Sequence, residues 1–203
     1  MTLAYWLGHR LFSEIARGFF NYRAIGRENI QIPGAALIVS NHVSFMDPPL
    51  VGIAFDEALH FLAKKSLFKN PIAGCIFRNW QAIPVDQEAP GPGSLKAVVR
   101  HLRAGEKVII FPEGNRSEDG KLQKAEGGVG LVIAKAGVPV IPARVFGAFE
   151  ALPRHRALPR PARVTVVYGR PWNVNLTAYK ETGKDLYQKL ADESMERIAE
   201  LQA

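Results

Sequence analysis

Cysteine is nearly absent: Cys75 is the only one in 203 residues. One thiol excludes an intramolecular disulfide and leaves no cysteine-based zinc site. Its expected place is that of a small buried hydrophobe rather than a nucleophile. Long apolar runs are absent too. No stretch reaches the roughly 18 apolar residues that a membrane span needs, and residues 3–20 are interrupted by His9, Arg10, Glu14 and Arg17. The arrangement of a signal peptide is missing there as well, and cytoplasmic residence is expected. The five histidines, His9, His42, His60, His101 and His155, show no zinc spacing, so no metal is expected. There is no Gly-x-Ser-x-Gly turn, no phosphate-loop lysine motif, and no final glycine to make Gly127-Gly-Val-Gly130 a dinucleotide fingerprint. No bound cofactor is expected either. Acidic residues are in deficit, 19 against 26 basic, for a net charge of +7. That excess favours an anionic partner. Nucleic acid is not expected, because the basic residues lack the interleaved aromatics of a single-strand binder.

What is present is an ordinary globular composition, 47% hydrophobic and 22% charged, in a chain of one-domain length. Apolar runs predict strands at 35–40, 59–63, 80–85, 107–111, 138–142 and 163–168. Between them, helices are predicted from Pro48 with Asp47 as its N-cap, near 71–77, over 95–104 up to Gly105, and over 126–136 up to Gly137. Residues 88–94 read as a Pro/Gly turn with Ser94 as a helix cap, and residues 151–163 as a Pro/Arg loop. A charged helix is predicted at 184–202. Strands alternating with helices argue a single α/β domain over 1–203, with a mostly parallel or mixed central sheet flanked by helices.

Two polar clusters each follow an apolar run. Asn41-His-Val-Ser-Phe-Met-Asp47 follows Ala35–Val39, and Phe111-Pro-Glu-Gly-Asn-Arg-Ser117 follows Val108–Phe111. In open α/β sheets, sites collect at the carboxyl ends of strands. A base (His42), its orienting acid (Asp47) and an anion-binding arginine (Arg116) can therefore meet at one sheet edge.

The two clusters resemble the signature of the glycerolipid acyltransferases, a family that includes the bacterial 1-acylglycerol-3-phosphate acyltransferases. Asn41, His42 and Asp47 match its first motif, Asn-His-x4-Asp. Residues 111–117 match its Phe-Pro-Glu-Gly-Thr-Arg-Ser motif, with Asn115 in place of Thr. Val138-Pro-Val-Ile-Pro142 matches a Pro-flanked apolar block, and Ala82-Ile-Pro-Val-Asp86 matches another in part. There Gln87 stands where the family usually has Arg. The resemblance spans roughly residues 25–172, the expected catalytic core, between an amphipathic helix at 1–20 and the terminal helix at 184–202.

The resemblance implies transfer of a fatty acyl group from a thioester, acyl-coenzyme A or acyl carrier protein, to the free hydroxyl of a lysophospholipid. The acceptor it points to is 1-acylglycerol-3-phosphate, giving phosphatidate. An alcohol is a weak nucleophile, and imidazole is suited to take its proton. His42 would be the base, and Asp47 would fix its tautomer. Arg116 offers a planar fork for the acceptor's phosphate. Glu113 would accept from the glycerol hydroxyl or hold Arg116, Gly114 would let the backbone approach the ligand, and Lys64 is a second cation by family position. Arg78 or Lys64 is a candidate to replace the arginine missing at Gln87. An acyltransferase for another lysolipid acceptor, a thioesterase or other hydrolase using the same base, and a non-catalytic binder of anionic membrane or nucleic acid are the alternatives.

Residues 3–20 carry Leu7, Leu11, Phe12, Ile15 and Phe19 at helical spacing. Such a face suits either a bilayer interface or the protein's own core. With the arginine-rich loop, it leads us to expect a peripheral protein on the inner face of the cell membrane, held by anionic lipid.

Overall fold

All five residues of the strand Ala36–Ser40 are buried, and their side chains alternate between two faces. Ala36 and Ile38 pack into one apolar cluster, Leu37 and Val39 into another on the opposite side. This is the period of two that a sheet covered on both faces imposes. The computed structural model describes residues 3–85 and 91–203. Its strands are β1 (Arg23–Ile25), β2 (Ala36–Ser40), β3 (Leu59–Lys64), β4 (Ala82–Val85), β5 (Lys107–Ile110), β6 (Val140–Phe146) and β7 (Thr165–Tyr168). Its helices are α1 (Leu3–Phe20), α2 (Asp47–Gly52), α3 (Pro71–Asn79), α4 (Pro92–Arg103), α5 (Gly127–Ala136), α6 (Ala148–Ala151) and α7 (Gly183–Ala199).

The strands form one sheet in the order β1-β7-β6-β2-β5-β3-β4. Every neighbouring pair is parallel except β6 and β7, where Ala143 faces Tyr168 and Phe146 faces Thr165. The antiparallel pair has a local cause. After β6 the chain makes only α6 and the 151–163 loop, with no helix long enough to carry it across the sheet, so β7 starts beside the end of β6. β2 lies between β5 and β6, so the residues after its carboxyl end sit beside those that follow β5.

One face of the sheet is covered by α1 and α2, through Ala16, Phe20, Leu50 and Val51. The other is covered by α4, α5 and α7, through Val98, Leu102, Val132, Leu190 and Ile198. Each such buried Val, Leu, Ile or Phe side chain contributes about 1.5–3 kcal/mol.

Several expectations need correction. α4 starts at Pro92 behind Gly91, so Ser94 lies inside its first turn and caps nothing. Trp80 and Gln81 belong to the turn after α3, where Gln81 takes φ 60, and the strand starts only at Ala82. β6 runs on to Phe146. β1 is an addition, too short at three residues to leave a pattern. Cys75 is exposed on α3 rather than buried. Gln87 and the start of the 88–94 turn lie outside the described residues.

α1 has two apolar sides. Tyr5, Ala16 and Phe20 are buried, and Phe12 packs edge-on against Trp80 at 5.5 Å. Leu3, Trp6, Leu7, Leu11, Ile15 and Phe19 stay exposed, with Leu11 65% open. Phe12 therefore faces the body of the protein, and the other four residues of the predicted face point to solvent. Among the described residues no helix is long and apolar enough to cross a membrane.

Candidate active site

His42 and Asp47 meet because the chain turns sharply between β2 and α2. His42 Nδ1 lies 2.8 Å from Asp47 Oδ2. The same oxygen accepts the backbone N–H groups of Val43 and Ser44, each at 2.7 Å. Asp47 is fully buried, and its Oδ1 makes no hydrogen bond. This corrects the expected N-cap. The carboxylate binds the turn before the helix, not free N–H groups of α2, and one oxygen serves backbone and imidazole together. A carboxylate on Nδ1 places that ring proton there and leaves Nε2 as the acceptor.

The rest of the first motif builds the turn. Asn41 Oδ1 accepts from Val145 N at 2.7 Å and its Nδ2 donates to Val145 O at 3.0 Å, extending the β2–β6 ladder with a side chain. Ser44 Oγ donates to Leu152 O at 2.9 Å. Ser44 is fully buried in this role.

The Glu113 loop holds His42 from the other side. Glu113 Oε1 accepts the His42 amide at 2.9 Å, and Ser117 N donates to the His42 carbonyl at 2.7 Å. The His42 ring stacks on Phe111 with centroids 4.0 Å apart. The imidazole is thus fixed at its backbone, at Nδ1 and on one face. Burial pushes the Glu113 carboxyl up to about 7, against the lowering effect of the His42 and Gln123 backbone N–H groups. Its Oε2 is buried without a hydrogen bond. Glu113 supports His42 and has no contact with Arg116 of the kind expected. Gly114 takes φ 71, the left-handed turn that favours glycine.

His42 opens into a cavity of about 440 Å³. Its apolar walls include Phe12, Phe45, Met46, Phe61, Phe77 and Trp80. Lys64, Gly114, Arg116 and Arg154 also line it, so three cations border a mostly greasy space. Arg116 lies 5.9 Å from the Phe45 ring centroid. Lys64 stands at the carboxyl end of β3. Arg78 is not among the lining residues. Arg154 was legible only as one arginine among many in the 151–163 loop; the fold puts it on the wall of the same cavity as Arg116, 3.6 Å from Glu118. A second, small void of about 30 Å³ shares Phe12, Pro48, Pro49, Phe61 and Trp80 as walls and continues under α1.

A fixed imidazole beside an apolar cavity with cations at its rim can deprotonate a nucleophile borne by an amphipathic, anionic molecule. The profile of the family described as Acyltransferase matches residues 21–145. A 1-acyl-sn-glycerol-3-phosphate acyltransferase of Bacillus subtilis is 31% identical over 152 residues, covering 73% of this chain and 72% of that protein. One from Streptococcus pneumoniae is 27% identical over 165 residues, covering 80% of this chain and 56% of that protein. The chain spans less than half of its chloroplast relative from Arabidopsis thaliana, 38% of it at 32% identity and with 66% of this chain covered. The crystal structure of the 1-acyl-sn-glycerophosphate acyltransferase PlsC from Thermotoga maritima superposes with a TM-score of 0.74 at 26% identity, covering 98% of this chain and 79% of that one. The protein belongs to the acyltransferase family that contains the 1-acyl-sn-glycerol-3-phosphate acyltransferases, and it is an acyltransferase of phospholipid synthesis.

Proposed function

We propose that the enzyme moves a fatty acyl group from acyl-coenzyme A or acyl carrier protein to the free hydroxyl of 1-acylglycerol-3-phosphate, giving phosphatidate. One observation carries this reading. The His42–Asp47 pair, 2.8 Å apart, opens into an apolar cavity that is also lined by Arg116, Arg154 and Lys64. Water attack would need the base but not the cations.

His42 Nε2 takes the proton of the acceptor hydroxyl as its oxygen attacks the thioester carbonyl. Asp47 stabilises the imidazolium that results. The tetrahedral intermediate then collapses, the C–S bond breaks, and the thiolate leaves with the proton held by His42. Cys75 is exposed on α3 and Ser44 is buried in a structural bond, so direct attack is favoured over an acyl-enzyme. Arg116 grips the acceptor's phosphate, with Lys64 and Arg154 alongside. The acyl chain lies between Phe12, Phe61 and Trp80, where the small void under α1 continues the cavity.

The same reading makes this a peripheral protein of the inner membrane face. Besides the exposed apolar side of α1, Phe45 and Ile76, which line the cavity, are half-exposed apolar residues. Leu158, 78% exposed, lies in the arginine-rich loop that also supplies Arg154. An apolar helix face gives reversible adsorption, and basic residues at an anionic surface add about 1 kcal/mol each.

The test is a product assay by mass spectrometry, with a panel of lysolipids offered beside one labelled acyl thioester. Phosphatidate formed from the phosphate-bearing acceptor supports the proposal. Free fatty acid released at the same rate with and without acceptor would make the enzyme a hydrolase.

A further inference from the structure

At the amino end of the strands, away from the cavity, three ligating side chains come together from three segments. His60 is the second residue of β3, His101 is in the last turn of α4, and Glu106 ends the turn before β5. His60 Nε2 lies 3.5 Å from Glu106 Oε2, and His101 Nδ1 lies 2.5 Å from the same oxygen. The ligating atoms all fall within 4.8 Å of one another. Lys64, at the other end of β3, lines the acyl-transfer cavity, so the cluster takes no part in the chemistry described above.

We propose that His60, His101 and Glu106 form a binding site for a divalent transition-metal ion, with zinc the best match to two imidazoles and one carboxylate. Zinc bonds of about 2.0–2.2 Å in a tetrahedron put ligand atoms about 3.3–3.5 Å apart. The His60–Glu106 separation of 3.5 Å already fits. The His101–Glu106 contact opens by about 1 Å when the metal replaces the shared proton. A fourth position remains for water.

Two features preorganise the site. The end of α4 is a Schellman turn: Gly105 N donates to Leu102 O at 3.1 Å, and Glu106 N to His101 O at 3.2 Å. Gly105 takes φ 91, which reverses the chain and sets Glu106 beside His101. Leu102, 1% exposed, anchors that turn in the core. The second feature is His60 itself, 8% exposed, fixed in β3 with its ring centroid 4.8 Å from that of His101.

This arrangement was hidden in the sequence because His60 and His101 are 41 positions apart and belong to different elements. Only the β3–β5 pairing, which sets His60 opposite Val108, closes the gap.

The experiment uses Co²⁺ and Zn²⁺ as probes on chelator-treated full-length protein. The expected result is one equivalent of Co²⁺ with visible d–d absorption, displaced by Zn²⁺, and a rise in melting temperature on adding Zn²⁺. Because His60 is buried, the variants are His101→Ala and Glu106→Gln. Each should weaken Co²⁺ binding about tenfold or more and lose the zinc-dependent rise, while His155→Ala keeps both. A wild-type protein without the Co²⁺ band, or variants that bind and respond as the wild type does, would overturn the site. Neither result bears on acyl transfer, which the lysolipid assay tests separately.

Discussion

The Oε1 of Glu113 accepts the main-chain amide of His42 at 2.9 Å. Together with the bond from Ser117 N to the His42 carbonyl, it makes the second motif a clamp on the first. Sequence separation of 71 residues is thereby converted into a rigid base. A base held at fixed geometry loses little freedom when substrate binds, which is the condition for efficient proton transfer.

His42→Ala should lower turnover by roughly 10²–10⁴. The ring is partly open to the cavity, and its removal leaves the backbone bonds to Glu113 and Ser117 intact. The melting temperature should therefore move by only about 2–4 °C. Steady-state rates beside a melting curve check both halves; near-full turnover in the variant would remove His42 as the base.

Asp47→Asn should lose most activity and also stability. The buried Oδ2 serves two amides and the imidazole. An amide in its place removes the charge and, with its oxygen kept on these donors, buries an N–H₂ at the Oδ1 position, which has no hydrogen-bond partner. The expected cost is about 1–3 kcal/mol, read from denaturant unfolding. An unchanged midpoint would mean that the turn is held by Asn41 and Ser44 alone.

Glu113→Gln tests the buried carboxyl. In the folded protein it holds its proton up to about pH 7, whereas an ordinary carboxyl releases it near 4.5. Between those values the folded state binds more protons than the unfolded one, so stability falls as pH rises through that window. The glutamine keeps an acceptor for the His42 amide but does not titrate. Melting temperatures from pH 4.5 to 8 should show a downward component in the wild type that the variant lacks. Parallel curves would argue against the raised pKa.

Arg116→Lys keeps the charge and loses the fork, and should raise the acceptor KM well above any change in the donor KM. Equal change in both constants would point to a disturbed loop.

Leu7→Glu with Leu11→Glu should abolish sedimentation with anionic vesicles and slow turnover on bilayer substrate. Activity on a short-chain soluble acceptor should persist, since both side chains are exposed. Deleting the whole helix is a poorer test, because Tyr5, Ala16 and Phe20 belong to the core. Undiminished vesicle binding by the double variant would place the contact elsewhere.

The sequence by itself determined the local chemistry and most of the elements. Apolar runs marked β2, β3 and β5, and the residues after β2 and β5 announced His42, Asp47 and Arg116. These features are legible because they depend on contiguous residues: strand periodicity, a proline opening a helix, a short motif. Only the tertiary structure decided which oxygen of Asp47 does what, that Glu113 holds a backbone amide instead of Arg116, and that Arg154 faces the cavity. Strand order decided the rest. It put the ends of β2 and β5 side by side, and it brought His60 beside His101 and Glu106. Such contacts depend on how the chain packs across tens of residues, and a linear pattern carries no record of that distance. The two sides of α1 make the same point: helical spacing displayed an apolar face, and only docking through Ala16 and Phe20 settled which side remained exposed.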